Sequence, residues 1–220
     1  MSSTIASSTL AARTWNNTPP GAFADRTVGD GEDDAMPWIV VAGRLPPPAD
    51  GSSRATLAVI ARLLERQPVQ VADLSPGYRG RSIGYHLDRT VRVLGAASTL
   101  LSGAFEDDRR LYLPAGAGPG GWHAVALAGL ARLLGYAVFL HHHAFAGPTR
   151  RSRRTALLVW AGGPACRHLL PCPAAQARFQ ALYPAARTCV APPDHDTGEP
   201  DTMADLLTGR LGARAVLKSP

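Results

Sequence analysis

Six short apolar segments, each closed by glycine, proline or polar residues, alternate with helix-length stretches, and this alternation limits the fold more than any other feature. Pro37–Gly43, Val69–Leu74, Arg110–Leu113, Tyr136–Leu140, His168–Pro171 and Arg187–Val190 are short and mostly apolar, as buried strands are. Helices are predicted between them. The first is capped by Ser52 or Ser53 and carries Leu57, Ile60, Ala61 and Leu64 at helical spacing. The second, over 82–101, places Ile83, Leu87, Val91, Leu94 and Thr99–Leu101 on one buried face. The third spans Trp122–Gly135 through Val125, Leu127, Leu130, Leu133 and Leu134, with Gly135 as its stop. Two more run from Arg150–Arg154 through Leu157, Leu158 and Trp160, and over Ala174–Tyr183. Strands joined by helices through short turns predict an α/β fold, an open parallel sheet with helices on both faces.

The flanks differ in composition. Residues 1–36 are rich in Ser, Thr, Asn and Asp and read as a disordered leader without the basic and apolar regions of a signal peptide. Residues 37–193 form the folded lobe, and 194–220 read as a polar tail with one marginal helix at Thr202–Thr208. No apolar run reaches the ~18 residues of a membrane span. Cys166, Cys172 and Cys189 lack the spacing of a disulfide framework or zinc ribbon and read as buried structural thiols. A cytoplasmic protein is therefore expected. The net charge of +6 favours acidic partners such as phosphate, nucleotide diphosphate or anionic lipid.

Parallel sheets bind ligands at the carboxyl ends of their strands, and the polar candidates fall there. His141, His142 and His143 follow the fourth strand, with His141 and His143 on one face and His142 on the other. They are candidates for neutral hydrogen-bonding or general-base groups, or form a polar strand end. Gly116–Gly121 joins the third strand to a helix and can bring backbone close to an anion, although it matches neither a dinucleotide fingerprint nor a P-loop. Asp50, Gly51 and Ser52 form a second such junction, where Asp50 is a fair N-cap. Arg150, Arg151, Arg153 and Arg154 are a basic cluster suited to lipid headgroups or a phosphorylated acceptor, or a solvated helix face. No nucleic-acid-binding module surrounds them, and no metal ligand set stands out.

The order of these pieces resembles the N-terminal, acceptor-binding lobe of family 4-like glycosyltransferases of the GT-B fold. WIVVAGRLPPPADGSS (38–53) is similar to the opening strand and glycine loop, and LYLP (111–114) with its glycine-rich turn and the helix ending ARLLG (131–135) follows. AVFLHHHAF (137–145) looks like the strand closing in clustered histidines, and FQALYP (179–184) with RTCV (187–190) like the last helix and strand. The resemblance implies a Rossmann-like lobe that helps transfer a sugar from a nucleotide-sugar co-substrate to an acceptor hydroxyl, lipid-linked or polysaccharide, without a cofactor or metal. It places His141 and His143 beside the reacting sugar as catalytic groups. Asp50, Gly51, Ser52, Gly120, Gly121 and His142 become substrate contacts. The family's asparagine and glycine-rich entry to a second lobe is replaced by Pro192–Asp196, and about thirty residues after Val190 cannot build a donor-binding lobe. Such a chain is expected to work with a donor-binding lobe in trans, with peripheral contact to the inner face of a membrane through its arginines. The other reading is a noncatalytic module for sugars or anionic lipid headgroups, or an inactive remnant.

Overall fold

The computed structural model describes residues 36–47, 50–75, 83–115, 121–143, 151–191 and 202–209. Residues 1–35 of the leader expected over 1–36, together with Gly120 and Arg150, lie outside the described residues. The elements alternate as β1 (Trp38–Gly43), α1 (Gly51–Leu64), β2 (Gln70–Asp73), α2 (Ile83–Ser102), β3 (Arg109–Pro114) and α3 (Gly121–Leu133). They continue as β4 (Ala137–His141), α4 (Arg153–Gly162), β5 (Arg167–Leu170), α5 (Pro173–Leu182), β6 (Arg187–Val190) and α6 (Thr202–Thr208). The strands form one six-stranded, all-parallel sheet in the order β2-β1-β3-β4-β5-β6. This is the α/β, Rossmann-like arrangement anticipated from the alternation.

The strand order reverses once, between β1 and β3. Chain passage from β1 to β2 runs one way across the sheet, and every later crossover runs the other way. Right-handed connections then place α2 to α5 on one face and α1 on the opposite one. Val40, Ala42, Leu111, Leu113, Val138 and Leu140 meet α2, α3 and α4 on the first face, while Leu170 meets α5. Ile39, Val41, Tyr112, Phe139 and Leu169 meet α1 and α6 on the second. The alternation of neighbouring residues between faces is the period of two of a strand.

Several helices are rotated from their expected phase. In α2, Ala96 and Leu100 are buried, with Val93 and Ala97 packed beside them, while Leu87, Val91, Leu94 and Leu101 are exposed. In α1 the buried set is Ser53, Thr56, Val59, Ile60 and Leu63, and Leu57, Ala61 and Leu64 face outward. In α3 the alanines 124, 128 and 131 join Leu127 inside, while Leu133 is exposed. The reason is size: small side chains let a helix lie close to the sheet, and close packing favours them over larger apolar residues that would hold it away. Trp160 and Leu157 of α4 likewise face outward, and Leu158 is buried.

The helix at Thr202–Thr208, expected as marginal within a polar tail, is part of the core. Met203, Ala204, Leu206 and Leu207 are all buried against the second face, and Arg66 binds Asp205 at 2.6 Å. Gly135 ends α3 with φ +80°, a conformation that costs glycine little and other residues more. Cys166 and Cys189 are buried and Cys172 is exposed, so the third thiol departs from expectation. Burial pushes the thiols of Cys166 and Cys189 up to about 12 and 11 and keeps them protonated near neutrality. Among the described residues, no helix is long and apolar enough to cross a membrane.

Candidate functional site

In open parallel sheets the ligand crevice lies at the carboxyl ends of the strands where the order reverses, which here is between β1 and β3. Gly43 ends β1 there. A Cβ on this residue would stand 2.8 Å from Thr56 Cγ2 and 3.2 Å from Pro114 Cγ, so only glycine lets the first turns of α1 approach both strands. The Leu45 backbone N–H donates to Ser75 Oγ at 2.7 Å, and that hydroxyl donates to Leu45 O at 2.7 Å. The loop leaving β1 is thereby tied to the end of β2.

Asp50, not Ser52 or Ser53, caps α1. Its carboxylate accepts the Ser53 N–H at 2.7 Å, and Ser53 Oγ lies 2.9 Å from the Asp50 N–H, a reciprocal capping box. Arg44 stands 3.4 Å from the same carboxylate. The backbone and side-chain hydrogen bonds from Ser53, aided by Arg44, hold the Asp50 carboxyl below its usual range against a partial burial penalty. Gly51 opens the helix with nothing near its Cβ position, and the Ser52 carbonyl accepts the Thr56 hydroxyl.

The three histidines at the end of β4 separate as the strand alternation predicts. His141 and His143 face one way, with ring centroids 3.8 Å apart. Tyr112, on the neighbouring strand, bonds His141 Nδ1 through its hydroxyl at 2.7 Å inside the core. His142 turns the other way: its Nε2 lies 3.1 Å from His168 Nδ1, and its ring packs 4.9 Å from Phe179. It is buried within the fold against Phe179 of α5, on the sheet face opposite His141 and His143. His168 is the partner that sequence reading did not single out. It lies 26 residues from His142, and only the pairing of Leu140 with His168 across β4 and β5 brings them together.

Burial sets the charge of this cluster. Desolvation, with His143 adding repulsion, takes His141 down to about 3, and desolvation takes His168 to about 4. His142 falls well below its ordinary value through burial and its neighbouring imidazoles. His143 falls to about 4 by burial, although the Asp50 carboxylate pulls it upward. All four are neutral near pH 7. His143 Nε2 is closed off from solvent and has no hydrogen-bond partner among the described residues. Such a buried polar atom costs about 1–3 kcal/mol when unpaired.

At the far side of the crevice, α3 begins with Gly121, and the Arg154 side chain lies where a Cβ there would stand, with Cδ 2.6 Å from that point. Arg151 lies over the Tyr183 ring at 5.8 Å, and Arg153 opens α4, capped by Ser152. The basic cluster is thus divided among a ring contact, a helix start and the Gly121 junction, instead of forming one helix face. Among the described residues, no group of three His, Cys, Asp or Glu side chains is arranged to hold a metal ion.

Asp50 combines two roles that substitution can separate. D50A is expected to lower stability by about 1 kcal/mol through loss of the cap. D50N retains an acceptor for Ser53 and should cost less, yet both variants should lower the pKa of His143 by removing the carboxylate charge. Denaturant midpoints and an NMR titration of the imidazole measure the two effects. An unchanged His143 pKa in D50N would exclude the electrostatic coupling. No protein-family model matches the chain, and no curated protein matches it.

Proposed function

We propose that the crevice binds the acceptor side of a glycosyl-transfer reaction, with an acceptor hydroxyl donating to Nε2 of His143. The unpartnered, buried Nε2 beside the charge of Asp50 is the observation that carries this reading. A neutral imidazole backed by a carboxylate is suited to orient a hydroxyl, and to take its proton as the hydroxyl oxygen attacks the sugar carbon. Tyr112 orients His141, which packs against His143 and limits its motion. The N-termini of α1 and α3, with Arg44 and Arg154 nearby, provide positive potential for the diphosphate of a nucleotide-sugar co-substrate held mainly by a donor-binding lobe in trans.

The low basicity of His143 favours a second reading, a noncatalytic module that uses the same atom only as a hydrogen-bond acceptor for a sugar. One comparison separates the two. Release of nucleoside diphosphate from a panel of nucleotide sugars is measured with simple glycoside acceptors, for the chain alone and together with the products of neighbouring genes, and saturation-transfer NMR records binding of those glycosides. Under the transfer reading, H143A loses turnover by about 100-fold or more, in the range of a lost acid–base group. Binding without turnover in the wild type, both alone and with those gene products, assigns the noncatalytic module. Equal glycoside binding together with equal turnover by H143A and wild type would remove His143 from both readings.

A further inference from the structure

A second polar cleft lies at the opposite, amino edge of the sheet. It has a volume of about 410 Å³ and is walled by the starts of β3 to β6 together with Leu206 and Gly209 at the end of α6. Its floor is set by register. Tyr112 pairs with Phe139, Phe139 with Arg167, and Arg167 with Arg187, so these side chains share one face of the sheet. Arg110, two residues before Tyr112, lies on that face as well. Ala137, its register partner on β4, supplies almost no bulk between the arginines, so the space above it stays open.

The three arginines are not equivalent. Arg110 is committed to the fold: its Nε donates to Asp108 Oδ1 at 2.9 Å, a second nitrogen binds the other carboxylate oxygen, and a third donates to Leu207 O at 2.6 Å. Asp108, the one carboxylate lining the cleft among the described residues, is therefore engaged by Arg110. Arg167 lies 5.6 Å above the Phe139 ring and Arg187 is exposed beside it, and neither has a carboxylate partner among the described residues. Strands pair at about 4.8 Å, and like charges directly opposite on paired strands repel. Two adjacent guanidinium groups aimed into one cleft thus hold an excess of positive charge that nothing described there neutralises.

We propose that this cleft is an anion site that takes a phosphate dianion, free or as the monoester of a small molecule, between Arg167 and Arg187. Guanidinium groups match phosphate oxygens in pairs, and a dianion offsets both charges where a carboxylate offsets one. The volume exceeds that of a phosphate group and leaves room for the body of a small ester. An anion held there ties β5 and β6 together beside the wall formed by α6, so its binding should raise the stability of the whole sheet.

The full chain is titrated with potassium phosphate at ionic strength held constant by potassium chloride, since salt alone screens exposed arginines. Thermal unfolding and ³¹P NMR record binding. A saturable rise in Tm is expected. R187Q should weaken the binding by about tenfold or more, as loss of a charge-assisted contact does, while R62Q, at an exposed position of α1, should leave it unchanged. Arg167 also covers Phe139, which makes R187Q the decisive substitution of the pair. Ribose 5-phosphate provides the second arm: tighter binding than inorganic phosphate assigns the cleft to an ester, and equal or weaker binding assigns it to the free ion. A rise in Tm that does not saturate, or equal affinity in R187Q and wild type, overturns the proposal. The readout involves no sugar transfer and no residue of the His143 crevice, so its failure and that of the transfer reading are distinguishable.

Discussion

Acidification from pH 7 to pH 5 should strip this protein of much of its stability, and the histidine cluster is the reason. His141, His143 and His168 titrate in the folded state at about 3, 4 and 4, and His142 well below its ordinary value, because burial penalises the charged imidazole. In the unfolded chain all four titrate near 6.5. Between these values the unfolded chain binds protons that the folded one refuses, so stability rises with pH. The full contribution is present above about pH 6.5 and is lost progressively as pH falls toward the folded values. From pH 6.5 to 5, each imidazole kept neutral forfeits about 2 kcal/mol. Even with coupling among neighbours, the loss is a large part of the ~5–15 kcal/mol typical of a domain. Urea midpoints at pH 7.5, 6 and 5 measure it. H168Q, which keeps an amide able to meet His142 and removes one titrating group, should flatten the dependence. A stability independent of pH between 7 and 5 would show that the imidazoles are hydrated in the folded state.

Phe179 is the second residue with a large expected effect. It is wholly buried in α5, with its ring 4.9 Å from His142, 5.0 Å from His168 and 4.9 Å from Tyr183. F179A should cost about 3–5 kcal/mol through lost burial and the cavity left behind. The same variant should also alter the imidazoles. Water reaching the His142–His168 pair should raise both pKa values toward 6.5 and reduce the acid sensitivity described above. F179L should lose less and keep the pair dry. Denaturant titration and imidazole NMR report both effects. A loss below about 1 kcal/mol with unchanged imidazole pKa values would mean that Phe179 does not seal the pair.

Much of the candidate site was legible from local sequence. The turn after β1, the junction before α3 and the histidine run were placed at strand ends by simple alternation, and Asp50 was recognisable as a cap. The strand period of two separated His142 from His141 and His143, as the structure has it. The roles of Tyr112 and His168 were not legible. Each is a strand residue whose importance comes from the side chain beside it on the next strand, and strand neighbours carry no fixed spacing in the chain. The cleft between Arg167 and Arg187 was hidden for the same reason. Twenty residues separate two guanidinium groups that the register of β5 and β6 sets side by side.

Local sequence was enough for the succession of strands and helices, including Arg187–Val190 and Thr202–Thr208 at their observed bounds. Those depend on local preferences and chain breakers. Tertiary structure alone decided how each helix is rotated, which imidazoles are buried and which polar groups share a crevice. In α2, for example, Leu87 and Leu94 had the stronger apolar signal, yet Ala96 and Ala97 pack inward with Val93 and Leu100 because a sheet accepts a helix at the distance its small residues permit. Hydrophobicity along a chain records what can be buried, whereas the space between a helix and a sheet selects what is.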